Sequence, residues 1–549
     1  MGVSSYVNIN KSKTLPRTEV YVVLLSFALF YCLQIVIRSS AHAEPLAGLG
    51  VVVASAIAAI PFANVHYRDL SRLTSVLIRG IGVLLFVLTL SDSLIEAAWP
   101  ATGALPHSAL FFRGGAAVSI LSLLLAFSRP GFLFPALIYY DLSRRLFARV
   151  TGLDHVTTDY LNLSEIGEFV LIGSFVTLTL FGLEERLGSK EGDIFLAAKS
   201  WLKKLAPGDI DELRRGSLDL IWSVGIGAHL GNYFWSGIIK LKLDWTPWDW
   251  ALFNETHLGI LTGLERGSPL LSSPVATQLF YSVFAYFAII ANIIVLLAQV
   301  LAPFAVARVR FLLWLALFYD FFHIAVFFTI SAMFWTWIGV NVIVVICCSQ
   351  MSEEDFTPMM KTAAFLTAIF GTFLFDTAHL GWFDSRSVLS EYFVAETADG
   401  RTARVPNAFF MTPLSYTVGH FHLFVPPGHF PWTIGGAQFS LQSARDANSC
   451  GLPKVGEQNA GPDLRTVETI VKNNHLFMTT YPLLKQTGLF YLFPHHMFSD
   501  PFYYDDFNRI PVSDIVRYRY VVDSVCLSLK NGVLVRDIKK RSEYPIDVQ

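Results

Sequence analysis

Charge is what this chain has least of. Only 15% of its 549 residues are Asp, Glu, Lys or Arg, against 53% hydrophobic residues. That balance excludes an ordinary soluble globular protein of this length. Lys and Arg (41) nearly match Asp and Glu (43), for a net charge of −2 and a pI near 6.7. The basic excess that a nucleic-acid partner requires is therefore missing. Cysteine is also scarce. Cys32, Cys347 and Cys348 lie in apolar runs, where a thiol behaves as a small hydrophobe. Cys450 and Cys526 lie in a polar tail and can pair if that tail faces an oxidising compartment. There is no Walker loop, no GxSxG elbow, no HxxxH or HxxHH box, no internal repeat and no low-complexity tract.

What the chain has is long apolar runs. Mean hydropathy is +0.49, and ten runs approach the roughly 20 residues needed to cross a bilayer. They are 21–37, 46–62, 73–90, 108–127, 169–183, 218–241, 278–304, 311–330, 333–348 and 363–382. The run 132–140 is too short to cross alone and reads as re-entrant, interfacial or fused to a neighbour. The expected fold class is a polytopic α-helical membrane protein with about ten transmembrane helices and a C-terminal β-containing extramembrane domain. Its place is a membrane crossed many times, the plasma membrane or, in a bacterium, the inner membrane. The first run is long and is followed by further spans, so it reads as a span and not a signal peptide. Lys11, Lys13 and Arg17 precede it, and Arg68 and Arg72 join the second and third spans, which puts the N-terminal flank in the cytoplasm.

Two polar regions interrupt the pattern. In 194–205, Phe195, Ala198, Leu202 and Leu205 share one helical face while Lys199 and Lys203 take another, an amphipathic helix on the membrane surface or against the bundle. The tryptophan-rich stretch 245–250 suits an interface in the same way. From about Asp384 the spans stop. Residues 392–396 and 401–405 flank a Thr-Ala-Asp-Gly turn, and 518–529 and 533–538 flank Asn531-Gly532; both patterns predict hairpins. The division is therefore 1–383 for the transmembrane helical domain and 384–549 for the extramembrane domain, a surface on which a protein partner could dock.

The most informative residue is Lys240, at the end of an apolar run. An ammonium there must snorkel, pair or lose its proton, and a lysine without its proton is a base. If 217–241 is one helix, His229, Tyr233 and Lys240 share a stripe, with Gly225 and Gly237 beside it and Asp244 one turn beyond. The alternative is that Lys240 and Lys242 simply reach the headgroups from a helix end.

The phrase Tyr233-Phe234, Gly237, Lys240-Leu241, Asp244-Trp245 resembles the motif of the HTTM domain, the membrane region of the vitamin K-dependent γ-glutamyl carboxylase family. The layout over 14–382, with several helices, a lysine helix mid-chain, further helices and then a β-rich extracytoplasmic part, is similar as well. The resemblance implies a lyase-type membrane enzyme whose lysine amine, at Lys240, deprotonates a reduced, vitamin K-like quinone. Oxygen then converts the quinol to an epoxide, and the strong base so formed drives carboxylation of a glutamate. His229, Tyr233, Gly237, Asp244 and Trp245 become candidates for the substrate or cofactor pocket. The chain departs from the family at Ile239, where the carboxylases carry a second lysine. No histidine matches the family's active-site position; the nearest segment, 157–165, has only His155 before it.

Arg79, Arg113, Asp320, His323, Asp376 and His379 also fall within the expected spans, and pairs between these arginines and aspartates would line a cavity or fix helix packing. His420, His422 and His429 are weak candidates for a metal, two of them on one face of a strand, and otherwise aromatic-loop histidines; the reading favours no metal. Two functions remain open, a quinone-handling membrane enzyme and a non-catalytic HTTM-type scaffold or docking subunit. A transporter would instead need polar residues on several broken mid-membrane helices.

Overall fold

The computed structural model describes residues 17–98, 106–151, 158–187, 210–270, 272–420, 423–430, 436–452 and 463–548. The amphipathic stretch 194–205, His155 and His422 lie outside them. The molecule is mostly helical. The bundle comprises α1 (Arg17–His42), α2 (Pro45–Ala59), α3 (Arg72–Ala98), α4 (Ser108–Ala126), α5 (Leu133–Thr151), α6 (Thr158–Leu187) and α7 (Ile210–Lys242). Two short helices follow, α8 (Asp249–Phe253) and α9 (His257–Arg266). After them come α10 (Pro274–Val300), α11 (Val309–Ile330), α12 (Trp335–Ser349) and α13 (Pro358–Phe370).

Among the described residues, seven helices are long and apolar enough to cross a membrane: α1 to α4, α6, α10 and α11. The expected number was about ten, and the difference has a physical cause. The run 218–241 lies within α7, which is long enough but carries Asp219, His229, Asn232 and Lys240 and is buried along its central turns. A helix enclosed by others needs no apolar face toward lipid, so it tolerates polar residues that pair inside. At 1.5 Å per residue, the 15 residues of α12 and the 13 of α13 are too short to cross alone. The run 363–382 is helical only to Phe370 and then turns into irregular backbone. The run 132–140 is fused into α5, which is buried almost throughout.

Irregular backbone at membrane depth must find its hydrogen bonds within protein. The segment after α13 does so along α7. Ala378 N–H donates to Asn232 Oδ1 at 2.9 Å, Leu380 N–H to Ser236 Oγ at 3.1 Å, and Asp376 N–H to Glu165 Oε2 on α6 at 2.6 Å. Gly381 sits where a Cβ would collide with Ile239, so the close approach needs glycine there.

The C-terminal part carries an antiparallel sheet of four strands in the order β3-β2-β5-β6: β2 (Ser387–Thr397), β3 (Thr402–Arg404), β5 (Ile515–Lys530) and β6 (Val533–Asp547). Two short strands, β1 (Phe383–Asp384) and β4 (Ala437–Gln438), pair beside it. Both expected hairpins are present; Val394 faces Arg404 in one and Tyr520 faces Tyr544 in the other. The second turns at Asn531 and Gly532, both with positive φ (53° and 76°), as an Asn-Gly turn requires. A Cβ on Gly532 would also strike the backbone of Pro274, because the hairpin tip abuts the start of α10. After the short helix α14 (Met411–Gly419) comes another, α15 (Leu441–Asn448); Cys450, just beyond it, and Cys526 on β5 form a disulfide with Cα atoms 5.7 Å apart.

The sheet is tied to the bundle through α9. Glu265, fully buried, is met by Arg404 (3.1 Å) and Arg536 (3.0 Å) and by Ser390 Oγ (2.6 Å). The apolar core runs on without a break, from Phe111, Tyr139 and Phe147 of the bundle to Phe393, Phe409 and Tyr518 of the C-terminal part.

Candidate functional site

Lys240 occupies the last turn of α7 and is 8% exposed. The reading that it reaches the headgroups is not what the side chain does. Its Nζ donates to two backbone carbonyls, Ser236 O at 3.3 Å and Leu380 O. It lies 5.2 Å from the centre of the Trp250 ring. The amine stands at one end of a cavity of about 390 Å³, within the range of small-molecule sites. The walls are mainly Phe, Ile, Val and Ala side chains from α10 and α11, and Asp384, Asn254, Thr256 and Asn292 gather near the lysine.

That polar end is built by residues following the lysine motif and by the first strand beyond the helices. Asp384 accepts from Asn254 Nδ2 (3.0 Å) and Trp382 Nε1 (3.2 Å), and its own N–H donates to Asn254 Oδ1 (2.7 Å). Asn292 Nδ2 donates to Asn254 O (2.9 Å), and Trp250 Nε1 donates to Trp382 O (2.7 Å), which ties α8 and α10 to β1. Burial pushes the Asp384 carboxyl up to about 6, against the pull of the Asn254 and Trp382 hydrogen bonds and of the Arg266 and Lys240 charges. Thus the cavity pairs an amine with a carboxyl that titrates near neutrality.

The cavity opens sideways. α10 and α11 follow each other in the chain but scarcely pack together; α10 rests on α7 and α8, and α11 on α12 and α9. They meet at two levels, where Phe280 approaches Phe328 (ring centres 6.0 Å) and where Tyr319 Oη donates to Ala298 O (2.8 Å). Between these levels Ile294 and Phe321 both line the cavity and stand exposed on the outer surface, at 49% and 71%. The gap therefore opens on the exposed apolar surface of this helix pair.

The other motif residues lie elsewhere. His229 and Tyr233 do point in the same direction as Lys240, but eleven residues put His229 about 16 Å lower along the axis. There they meet Asn341 of α12. His229 Nε2 contacts Asn341 Oδ1 at 2.8 Å, and Asn341 Nδ2 donates to Tyr233 Oη (2.9 Å) and Asp320 Oδ1 (3.0 Å). The Tyr233 ring stacks on Tyr319 at 3.6 Å. This knot lies behind His323 and Trp337, which do line the cavity. Gly237 admits the end of α10, with Gln299 and Val300 against its face. Asp244 accepts from the N–H of Leu441 at the start of α15 (2.7 Å), and Trp245 is 96% exposed. Neither lines the cavity.

The expected ion pairs form with different partners. Asp376 meets Arg38 (3.2 Å) and Arg145 (3.3 Å), Arg79 lies 4.3 Å from the Tyr67 ring centre, and His379 packs edge-on to Trp235. His429 is held between Ser524 Oγ (3.0 Å) and Ser542 Oγ (2.9 Å), and His420 lies against His496. Among the described residues no three His, Cys, Asp or Glu side chains converge as a metal site.

Sequence reasoning missed Asp384, Asn254 and Asn292. Asn254 lies only a few residues past the lysine motif, but nothing in its own neighbourhood marks it, and Asp384 read as a domain boundary. Comparison of the chain with family models, characterised proteins and solved structures finds no match.

Proposed function

We propose that this protein is an integral membrane enzyme that takes a reduced quinone, or a similar lipid-soluble hydroxyl compound, from the bilayer and removes its hydroxyl proton with the Lys240 amine. One observation carries the reading: Lys240 stands at the polar end of an apolar cavity that opens between two long apolar helices, on the surface that would meet lipid in a membrane. A neutral amine has two N–H groups and one lone pair. Both N–H groups have carbonyl acceptors, which leaves the lone pair as the amine's remaining function.

The residues fit an aromatic, lipid-soluble ligand. Trp250, Trp337 and the phenylalanines of α11 offer flat apolar walls, and Lys240 and Asp384 offer one basic and one acidic group at the end where a ring hydroxyl would sit. When the hydroxyl proton passes to Nζ, an ammonium and a quinolate form. Asp384 and the two carbonyls stabilise the ammonium. Oxidation of the quinol and carboxylation of a glutamate would follow in the manner of the vitamin K-dependent carboxylases; those steps rest on the resemblance of the motif.

The same reading assigns a topology. The sheet lies on the extracytoplasmic side, opposite the N-terminal flank, as the resemblance of the motif implies. The Cys450–Cys526 disulfide supports that side, since such bonds persist in oxidising compartments.

The test is turnover of a reduced naphthoquinone by the full-length protein in lipid nanodiscs. Lys240→Ala and Lys240→Arg should each lower it by ~10²–10⁴-fold, the usual contribution of a general base, in protein that still inserts and folds. Unchanged oxidation in the variants, or none in the parent, would overturn the reading in favour of a non-catalytic scaffold.

A further inference from the structure

A second polar site lies in the bundle, away from the cavity. Asp141 on α5, Glu165 and Glu168 on α6, and Asp376 after α13 face Arg38 on α1 and Arg145 on α5. Four carboxyls thus lie near two guanidiniums, which pair with only three of them. Arg145 Nε meets Asp141 at 2.5 Å, both arginines meet Asp376, and both lie within 3.9 Å of Glu165.

Glu168 is left out. Its side chain is fully buried, and its hydrogen-bond partner is a neutral amide, with Gln34 Nε2 donating to Oε2 at 2.6 Å. Its Oε1 meets no donor among the described residues. Gln34 supplies an independent observation. It is 4% exposed and aimed at Glu168 by that same hydrogen bond, and its carbonyl oxygen Oε1 also lacks a donor. Two buried acceptors, one on each member of a bonded pair, are therefore unsatisfied. Among the described residues, α7 contributes Asn232, a neutral amide, Asp92 of α3 is taken by Arg144, and the charged groups that act on Glu168 are Asp141 and Arg145, which pair with each other.

The geometry points to a proton-binding site of the membrane bundle, formed by Glu168 and Gln34, that holds one exchangeable proton at neutral pH. A proton on Glu168 removes a charge that would otherwise be buried beside the Asp141–Arg145 pair with one amide as its hydrogen-bond partner. It also turns an acceptor without a donor into a donor, and gives the Gln34 carbonyl a partner. Arg38 and Asp376, at 49% and 35% side-chain exposure, connect the cluster to the outer surface and offer the proton a way to exchange. On the inner side, Asn162 and Asn232 continue the polar seam toward Ser236 and Lys240. The site stands independently of what Lys240 does.

Infrared difference spectroscopy of the full-length protein in nanodiscs, in H₂O and D₂O, reads the proton directly. At pH 7 the parent should show a protonated-carboxyl C=O band that moves to lower frequency in D₂O. The band should be lost in Glu168→Gln, shifted in Gln34→Leu and unchanged in Lys240→Ala. A parent without a D₂O-sensitive carboxylic-acid band at pH 7 overturns the proposal without any variant. So does a band that neither Glu168→Gln nor Gln34→Leu alters. Should Glu168→Gln fail to fold, the Gln34→Leu shift decides.

Discussion

Asn341→Leu is the substitution that most sharply separates packing from chemistry in this molecule. Asn341 is 1% exposed and joins three helices through His229, Tyr233 and Asp320. Leucine has nearly the same size and supplies none of the three hydrogen bonds. Hydrogen bonds between membrane helices are worth ~0.6 kcal/mol on average and up to ~1.7 kcal/mol each, so three of them give ~2–5 kcal/mol. Asp320 loses a donor as well, which moves the cost toward the upper figure. Tyr233→Phe removes one bond and keeps the stack on Tyr319, so it should cost only ~0.6 kcal/mol. The assay is reversible unfolding in mixed micelles with increasing denaturing detergent, followed by tryptophan fluorescence. A loss below about 0.5 kcal/mol for Asn341→Leu would refute the assignment of His229 and Tyr233 to a structural knot. The same variant, refolded, should still bind a quinone in the cavity, because Asn341 does not line it.

Asp384→Asn should slow quinol turnover by ~10-fold at pH 7, through loss of the nearby negative charge that favours the Lys240 ammonium. In the parent, turnover should fall as the pH drops through about 6, where the Asp384 charge that stabilises the Lys240 ammonium is lost, beyond the loss caused by protonation of the Lys240 base itself; a pH–rate profile of the variant should keep only the latter loss. In the sheet, burial alone would raise the Asp523 carboxyl, but Arg541 and Arg536 outweigh it and hold it below the usual range. Folding therefore favours the carboxylate: its stabilisation is complete above about pH 4 and fades as the pH falls through the lower folded value. Asp523→Asn should then cost ~3 kcal/mol near pH 7 and progressively less in acid, measured by thermal melts across pH. Reducing the Cys450–Cys526 bond opens a loop of 76 residues, for which chain entropy gives ~4.5 kcal/mol. Protease cleavage around Cys450 should rise on reduction, and an unchanged digestion rate would contradict a stabilising role.

Local signals were read correctly where local chemistry decides. The Asn531-Gly532 turn fixes its hairpin because only residues tolerant of positive φ fit there, and long apolar runs mark helices wherever a helix faces lipid. Seven of the ten expected runs are long apolar helices among the described residues, and the others differ where helices are interior or short. α7 is screened by its neighbours, so its sequence answers to polar partners on α6, α12 and the segment after α13 and not to lipid. The site divided the same way. Spacing along α7 gave the direction in which His229, Tyr233 and Lys240 point, but which neighbour fills each level depends on α10, α11 and β1. Asn232 and Ser236, eight and four residues before Lys240, escaped notice because they serve the backbone of Ala378 and Leu380. Asp384 lies far along the chain from Lys240, and only the folded arrangement brings them into one cavity.

The central claim is that Lys240 meets a ligand that arrives from the bilayer between α10 and α11. A naphthoquinol bearing a photoactivatable alkyl tail, irradiated with the full-length protein in nanodiscs, tests it most directly. Mass spectrometry should place the adducts on cavity residues of α10 and α11, such as Ile294 and Phe321, and excess unlabelled quinol should abolish them. Adducts scattered over the lipid-facing surfaces of α1 to α4, and unaffected by competitor, would contradict it.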